Sequence, residues 1–288
     1  MHNFKTKRRS RPQKLWDFVR SVQGIAQSSD FSRVTTHLQF LAPPRSGNTL
    51  VGSLLDAHPE MVIAHEMDSM HYFQAAYQRS QIDYLLLDNS RKFTEEGRQW
   101  MGYNYQVPGQ WQGKYRQLKV LGDKSGGRSA RRILHAKNFE PLRDMIAKLG
   151  DRELVFLHII RNPYDNITTM MKRTNKRKGK TEQPENLLKK IDHFFQHSAG
   201  IQKLYDLGEY RIISVHHEVL VSDTANELRR ICNALGLEAS QEYLDACAGV
   251  VWAKPKKTRH GSDLWSAEMI DLVSREMQSF PWFERYSY

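Results

Sequence analysis

Residues 42–49 combine the residue types of a loop that binds a phosphate group. Gly47 and Thr49 match the second glycine and the hydroxyl residue of the pattern G-x-x-x-x-G-K-S/T, and Asn48 stands where that pattern has lysine. An apolar segment precedes the loop and an amphipathic one follows it, so the N–H groups of a helix N-terminus would face an anion. Arg45 is a candidate for the missing positive charge. From the loop alone, an ordinary turn between a strand and a helix is the alternative interpretation.

A second polar cluster, residues 161–169, also suits a phosphate. Arg161 comes directly after an apolar segment and is followed by Asn162-Pro163, with Thr169 eight residues beyond the arginine. A guanidinium fork and a hydroxyl can bind the same phosphate dianion. On its own, this motif is also compatible with a turn that carries a surface arginine.

Both clusters follow segments that predict strands of one sheet. Leu154 to Ile160 is a near-continuous apolar run, which is typical of a parallel strand buried on both faces. Other predicted strands are residues 37–42, 61–64, 117–121 and 210–215. Predicted helices are residues 16–25, 49–55, 67–88, 139–149, a segment ending at 171, 187–207, 225–235 and 266–277, with a polar linker over 172–184. Alternating strands and helices predict an α/β fold of three layers, with helices on both faces of a mainly parallel sheet.

The charge of the chain points to an anionic partner. The formal net charge is +11, which suits nucleic acid, an acidic membrane, or small molecules that carry phosphate or sulfate. No helix-turn-helix, RNA-recognition or zinc-finger pattern is present, so we expect no nucleic acid. His193 and His197 are four residues apart on a predicted helix, but a third ligand is absent and we expect no zinc.

Composition also bears on location and domain organisation. The two cysteines, Cys232 and Cys247, cannot form a disulfide framework, and no apolar run reaches the ~18 residues of a membrane span. The basic N-terminus has no apolar core of a secretory signal. We therefore expect a cytoplasmic protein with a basic tail and a short helix over residues 1–30 and a single domain over residues 31–288.

The two clusters together resemble the donor site of sulfotransferases that use 3′-phosphoadenylyl sulfate (PAPS). Residues 44–50, with Leu-Asp-Ala-His-Pro at 55–59, resemble the 5′-phosphosulfate loop, most closely that of tyrosylprotein sulfotransferases and related bacterial enzymes. Residues 161–169 resemble the motif that holds the 3′-phosphate. The resemblance implies transfer of a sulfuryl group from PAPS to a hydroxyl or amine, without a metal, and a P-loop-like phosphosulfate loop in the fold.

The same resemblance implies a set of donor-binding residues. From the two motifs these are Arg45, Ser46, Gly47, Asn48, Thr49, Leu50, Arg161 and Thr169. Residues 215–220 resemble a strand end of the family at which a tyrosine lies by the adenine, and His217 takes that position. Residues 256–261 resemble a late basic loop that covers the 3′-phosphate, which adds Lys257 and Arg259.

Candidate catalytic residues follow from the resemblance as well. Glu66 matches the glutamate that acts as base in the tyrosylprotein type, and His65 is the alternative base. Arg45 and Lys124 are the candidates for stabilising the transferring group, with Lys119 as the fallback. A carboxylate base serves best when its pKa is raised towards the working pH, as an apolar wall would do.

Two further functions and the acceptor stay open. A P-loop kinase for small molecules is the alternative enzyme, although the lysine it needs is absent. A basic nucleic-acid-binding protein is the non-enzymatic alternative. Aromatic residues between 67 and 118 are candidates for an acceptor cleft, and these are Tyr72, Phe73, Tyr77, Tyr84, Trp100, Tyr103, Tyr105, Trp111 and Tyr115. Such a cleft suits a small-molecule, glycan or lipid acceptor.

Overall fold

The fold is built on a parallel sheet of five strands. The computed structural model describes residues 11–26, 31–179, 181–252 and 254–288. The strands are β1 (Thr36–Leu41), β2 (Met61–Ala64), β3 (Gln99–Trp100), β4 (Tyr103–Asn104), β5 (Val120–Asp123), β6 (Glu153–Ile160) and β7 (Arg211–His216). The main sheet has the order β2-β5-β1-β6-β7 with every neighbouring pair parallel, while β3 and β4 form a separate hairpin. The predicted α/β class is confirmed.

Helices cover both faces of this sheet. They are α1 (Arg11–Ala26), α2 (Asn48–Leu55), α3 (Ser69–Gln74), α4 (Arg79–Glu95), α5 (Gly126–His135), α6 (Glu140–Leu149), α7 (Pro163–Lys178), α8 (Pro184–Leu207), α9 (His217–Ser222), α10 (Thr224–Ala234), α11 (Gln241–Val250) and α12 (Ala267–Met277). Side chains alternate along β6, so Val155 and Leu157 pack with α2, α10 and α11. Leu154 and Phe156 pack on the other face with α3, α4, α5 and α6.

Several predicted elements differ from the structure. The predicted helix 67–88 is two helices, α3 and α4, and α5, α9 and α11 were not predicted. The predicted polar linker 172–184 is wrong over its first half, because α7 continues to Lys178. Lysine and arginine are good helix formers, so a basic run does not end a helix. Met170, Met171 and Asn175 are buried, so this part of α7 packs against the rest of the protein.

The segment Leu-Asp-Ala-His-Pro at 55–59 has a structural role. The buried Asp56 carboxylate pairs with Arg98 Nη1 at 2.7 Å, and it accepts a hydrogen bond from Ile63 N at 2.7 Å. His58 Nδ1 accepts from the N–H of Glu60 at 3.1 Å. These contacts tie the end of α2 to β2 and α4, and so fix the helix that begins in the phosphate-type loop.

Helix α1 packs against the domain through polar contacts. Tyr72 OH donates to Asp17 Oδ2 at 2.9 Å, and Arg20 pairs with Asp88 at 2.9 Å. Residues 1–10 and 27–30, with most of the predicted basic tail, lie outside the described residues. The division at residue 30 stays a prediction. In the part of the chain that the structure describes, no helix is long and apolar enough to cross a membrane.

Candidate active site

A cavity of about 660 Å³ lies at the carboxyl ends of the strands. Loops after different strands contribute to it: Arg45 follows β1, Glu66 follows β2, Arg161 follows β6 and His217 follows β7. Strands β1 and β6 are neighbours, and the connection from β1 leads to β2 on one side of the sheet whereas that from β6 leads to β7 on the other. Ligands of open α/β sheets bind at such a position.

The loop after β1 is shaped by two residues with left-handed backbone. Arg45 has φ 75° and Gly47, directly before α2, has φ 105°. A Cβ at Gly47 would lie 2.5 Å from His217 Nδ1, so only glycine fits against that ring. Ser46 is buried: its Oγ donates to Pro43 O at 2.8 Å and accepts from Asn166 Nδ2 at 2.6 Å. Ser46 therefore supports the loop from behind the cavity.

The other predicted residues of this loop face the cavity. Asn48, Thr49 and Leu50, the first residues of α2, all line it. Their backbone N–H groups belong to the first turn of the helix, where such groups have no partner within the helix. This end of α2 is therefore suited to an anion.

An arginine side chain of the second motif contacts the backbone of the first. Arg161 Nη1 donates to the carbonyl oxygen of Arg45 at 2.9 Å. Asn162 caps α7, because its Oδ1 accepts from Tyr164 N at 3.0 Å. Thr169 lies on that helix at the cavity, where its Oγ1 is 3.2 Å from Thr258 Oγ1. The two predicted phosphate motifs thus belong to one cavity.

Glu66 and Lys124 form an ion pair on the side of the β1–α2 loop away from Arg161. Lys124 Nζ donates to Glu66 Oε1 at 3.0 Å and to Thr49 Oγ1 at 2.8 Å. The lysine stem passes over Gly52, whose lack of a Cβ makes this approach possible. Lys124 thereby connects the carboxylate to the phosphate-type loop.

The charges around this pair set its protonation. Burial works to raise the pKa of Glu66, but Lys124, Arg128 and Arg45 outweigh it and hold that pKa below its ordinary value. Burial lowers the pKa of Lys124, and the Glu66 carboxylate opposes part of that shift. The raised pKa that a base near an apolar wall would have is therefore not found, and Glu66 is ionised at neutral pH.

A buried aspartate that sequence reasoning missed holds the turn with Glu66. Asp123 accepts hydrogen bonds from Met67 N at 3.1 Å and Ser69 N at 2.7 Å. Ser125 Oγ donates to the same carboxylate at 3.0 Å. Burial raises the pKa of Asp123 to about 6. Its position at the end of β5, beside β2, makes Asp123 a support of the loop that presents Glu66.

The two fallback candidates lie away from the cavity. The ring of His65 stacks on Phe93, with 3.8 Å between centroids, and neither residue lines the cavity. Lys119 lies at the amino end of β5, away from the cavity at the carboxyl ends of the strands, and its Nζ is 3.1 Å from Glu60. Of the remaining candidates, Glu66 lines the cavity, and the buried Lys124 reaches it only through its contacts with Glu66 and Thr49.

Of the predicted donor-binding residues late in the chain, His217 lines the cavity and Lys257 and Arg259 do not. The His217 ring lies against Gly47 in the cavity, where burial and the nearby Arg161 lower its pKa to about 3. Arg259 is buried instead on Asp165, with Nη1 to Oδ2 at 2.5 Å, and it fixes the loop that follows α11. Lys257 is exposed and is not among the cavity residues, whereas its neighbours Lys256 and Thr258 are.

The β3–β4 hairpin forms an aromatic wall. Trp100, Tyr103 and Tyr105 line the cavity, and the Tyr103 ring meets Trp252 with 5.4 Å between centroids. The remaining aromatics predicted for an acceptor cleft do not line it: Tyr72, Phe73, Tyr77, Tyr84, Trp111 and Tyr115. Most of these pack in the core below α3 and α4, where aromatic area is buried on folding.

Sequence reasoning missed two arginines of the cavity, and it assigned two further cations of the cavity to a polar linker that could gate the donor or attract an acidic acceptor. Arg128 and Arg131 lie on α5, and Lys172 and Arg173 lie on α7. Arg128 Nη1 donates to the Glu66 carbonyl oxygen at 3.1 Å. The spacing of three between the arginines was the available signal, since residues i and i+3 share a helix face.

Histidines line the same region of the cavity. His193 and His197 of α8 both face it, with 4.5 Å between ring centroids. Within the described residues, no group of three or more His, Cys, Asp or Glu side chains is arranged to hold a metal ion.

Comparison with known proteins identifies the family. A profile described as "Sulfotransferase family" matches residues 40–241, which include both phosphate-type motifs. No curated protein sequence matches the chain. Sulfotransferase STF9 from Mycobacterium avium has a similar fold, with TM-score 0.51 and 12% identity over 94% of this chain and 82% of that one.

Two further solved structures have lower TM-scores. A sulfotransferase domain from the curacin biosynthetic pathway has TM-score 0.46 and 16% identity over 86% of this chain and 98% of that one. Mouse sulfotransferase SULT7A1 complexed with PAP has TM-score 0.43 and 12% identity over 85% and 82%. The family profile covers well over half of the 288 residues. The chain belongs to the sulfotransferase family.

Proposed function

We propose that this sulfotransferase moves a sulfuryl group from PAPS to a hydroxyl or amine acceptor by in-line transfer, without a metal. The observation that carries the proposal is the hydrogen bond of 2.9 Å from Arg161 Nη1 to Arg45 O. It joins the loop suited to a phosphosulfate and the motif suited to a second phosphate in one cavity. PAPS carries anionic groups at two ends of one nucleotide, and the cavity offers two matching cationic ends.

The donor takes its orientation from these two ends. The 5′-phosphosulfate lies on the loop of residues 45–50 at the N-terminus of α2. The 3′-phosphate lies by Arg161 and Thr169, with Lys256 beside them, since a guanidinium and a hydroxyl suit a dianion. The adenine lies by His217, whose ring stays uncharged because burial lowers its pKa to about 3. Lys257 and Arg259 affect donor binding indirectly, through the position of the loop that carries them.

Glu66 acts as the base in this proposal. It is ionised in the free enzyme, so its carboxylate accepts the proton of the acceptor hydroxyl as the oxygen attacks sulfur. A new S–O bond forms to the acceptor while the S–O bond to the 5′-phosphate breaks, and adenosine 3′,5′-bisphosphate (PAP) leaves with the electron pair. Lys124 and Arg45 stabilise the negative charge that develops on the bridging oxygen.

The proposal also covers the cellular location of the protein and the class of its acceptor. We place the protein in the cytoplasm, because a chain with two cysteines cannot build a disulfide framework. The acceptor class is a small molecule, a glycan or a lipid that reaches the cavity past the β3–β4 hairpin.

Nucleotide-dependent melting tests the donor. PAP at a hundredfold excess over its Kd should stabilise the folded protein by ~2.7 kcal/mol, which raises Tm by roughly 5–10 °C. ATP with Mg²⁺ should raise it much less, because the loop has no lysine at position 48. Radiolabelled PAPS with a panel of acceptors then measures transfer.

A matched pair of variants controls this test. Arg161→Met should lose most of the PAP shift, whereas Arg211→Met, which breaks an exposed pair with Glu153, should keep it. Stabilisation by ATP with Mg²⁺ but not by PAP would favour a small-molecule kinase and overturn the proposal.

A further inference from the structure

One wall of the cavity carries positive charge that the proposed donor does not engage. Arg128 and Arg131 lie on α5, which follows β5. The donor motifs follow β1, β6 and β7, whereas β5 and β2 lie on the other side of β1. The α5 wall is therefore on the side of the cavity that carries Glu66, where the acceptor must lie.

The charge of Arg131 is not neutralised by the protein. Within the described residues no carboxylate lies within 4.0 Å of its guanidinium. Glu66 is the one acidic residue among the cavity residues described, and Lys124 pairs with it. The next residue, Arg132, shows the contrast, because Asp68 accepts from its Nε at 2.9 Å and its Nη2 at 2.6 Å.

The two histidine rings beside Arg131 carry no charge, so they neither attract nor repel an anion by charge. His193 and His197 lie beside it on α8, and burial is the main reason that their pKa values are lowered. Both rings are therefore uncharged at neutral pH. Across the cavity, the Tyr103 and Tyr105 rings offer flat apolar surface to a ring of the acceptor.

We propose that the acceptor carries an oxyanion group, a carboxylate, phosphate or sulfate, in addition to the hydroxyl or amine that receives the sulfuryl group. Arg131, with Arg128 beside it, binds that oxyanion while Glu66 faces the nucleophile. The inference rests on the proposed function and names the substrate class of the same site. Hydrogen bonds from guanidinium to an oxyanion are charge-assisted, and the exposed Arg131 and half-buried Arg128 are both accessible to a ligand in the cavity.

Two fluorescent phenols that differ by one carboxylate test this inference. The full chain is first saturated with PAP, which occupies the donor half, and 2-naphthol or 6-hydroxy-2-naphthoate is then titrated. We expect the naphthoate to bind roughly tenfold more tightly at low salt. The preference should shrink as salt is raised, because exposed charges are screened. Arg131→Gln should remove most of the preference, whereas Arg143→Gln, an exposed arginine on α6 outside the cavity, should retain it.

The outcomes separate the two proposals. Equal binding of the two phenols, no binding of the naphthoate, or a preference that survives in both Arg131→Gln and Arg128→Gln overturns the anionic acceptor and leaves the donor proposal standing. PAP binding is measured first, so its failure is seen independently and overturns the proposed function together with this inference.

Discussion

Replacement of Gly47 by alanine tests the geometry of the donor loop most directly. Gly47 has φ 105°, which L side chains rarely adopt, and an added Cβ would lie 2.5 Å from His217 Nδ1. The methyl group thus meets a ring held between the loop and Arg161. Either the ring moves or the loop does, and both are parts of the proposed PAPS site.

The two costs can be assigned separate magnitudes. A left-handed backbone costs an alanine about 1–2 kcal/mol. An extra methyl group in a packed site costs about 1–3 kcal/mol more. Together they predict a loss of roughly 2–5 kcal/mol in the free energy of unfolding of Gly47→Ala, and a fall in Tm of roughly 4–10 °C. PAP affinity should fall roughly 30-fold or more, because the loop proposed to bind the 5′-phosphate end of the donor is displaced.

Melting curves and calorimetric titration with PAP measure both effects. Gly208→Ala is the matched control, since Gly208 has φ 64° with no atom within 4 Å of a Cβ, so it reports the backbone cost alone. Removing the ring in Gly47→Ala/His217→Ala should restore part of the lost stability. Wild-type PAP affinity in Gly47→Ala, with a Tm no lower than that of Gly208→Ala, would refute the contact between loop and ring.

Three further predictions concern the base and two buried carboxylates. Glu66→Gln should slow transfer from radiolabelled PAPS at least 100-fold while PAP affinity changes by less than about threefold, since a general base contributes roughly 10²–10⁴-fold; turnover near wild type would place the base elsewhere. Arg98→Met should cost roughly 3–5 kcal/mol in urea unfolding, because it leaves the Asp56 charge buried and unpaired, whereas Arg211→Met should cost under about 1 kcal/mol. Burial raises the folded-state pKa of Asp123 to about 6, so its contribution to stability is full below pH ~4 and is lost as pH rises through ~6. Unfolding of Asp123→Asn should lack this pH dependence, and identical profiles for the two proteins would contradict the raised pKa.

The parts of the fold that follow from local pattern were predictable. The apolar run Leu154–Ile160 forms β6 as expected, and the strand at Met61–Ala64 was predicted to the residue. The basic segment after Met171 was misread because charge was taken as a sign of a linker. In the structure the buried Asn175 continues the packed face of α7 beyond Met171, and lysine and arginine, which are good helix formers, are compatible with a helix to Lys178.

Of the residues at the candidate site, some could be predicted from the sequence and others could not. Residues within the two motifs, such as Arg45 and Arg161, could be placed because each motif joins a strand to a helix. Arg128 and Arg131 could not, because Gly126-Gly127 reads as a loop in the sequence although it is the first turn of α5. Asp123 was missed because its role lies in hydrogen bonds to a distant turn, and no local pattern reports such a contact.

The hydrogen bond between Arg161 and Arg45 spans 116 positions of the chain. A nascent or partly unfolded polypeptide in which β6 has not yet joined β1 lacks one half of the proposed nucleotide site. A ligand that engages both halves therefore selects the completed sheet and draws the folding equilibrium towards it. By the proposed function, cellular PAPS and PAP would bind and stabilise the folded protein, so the abundance of the enzyme would follow the supply of PAPS.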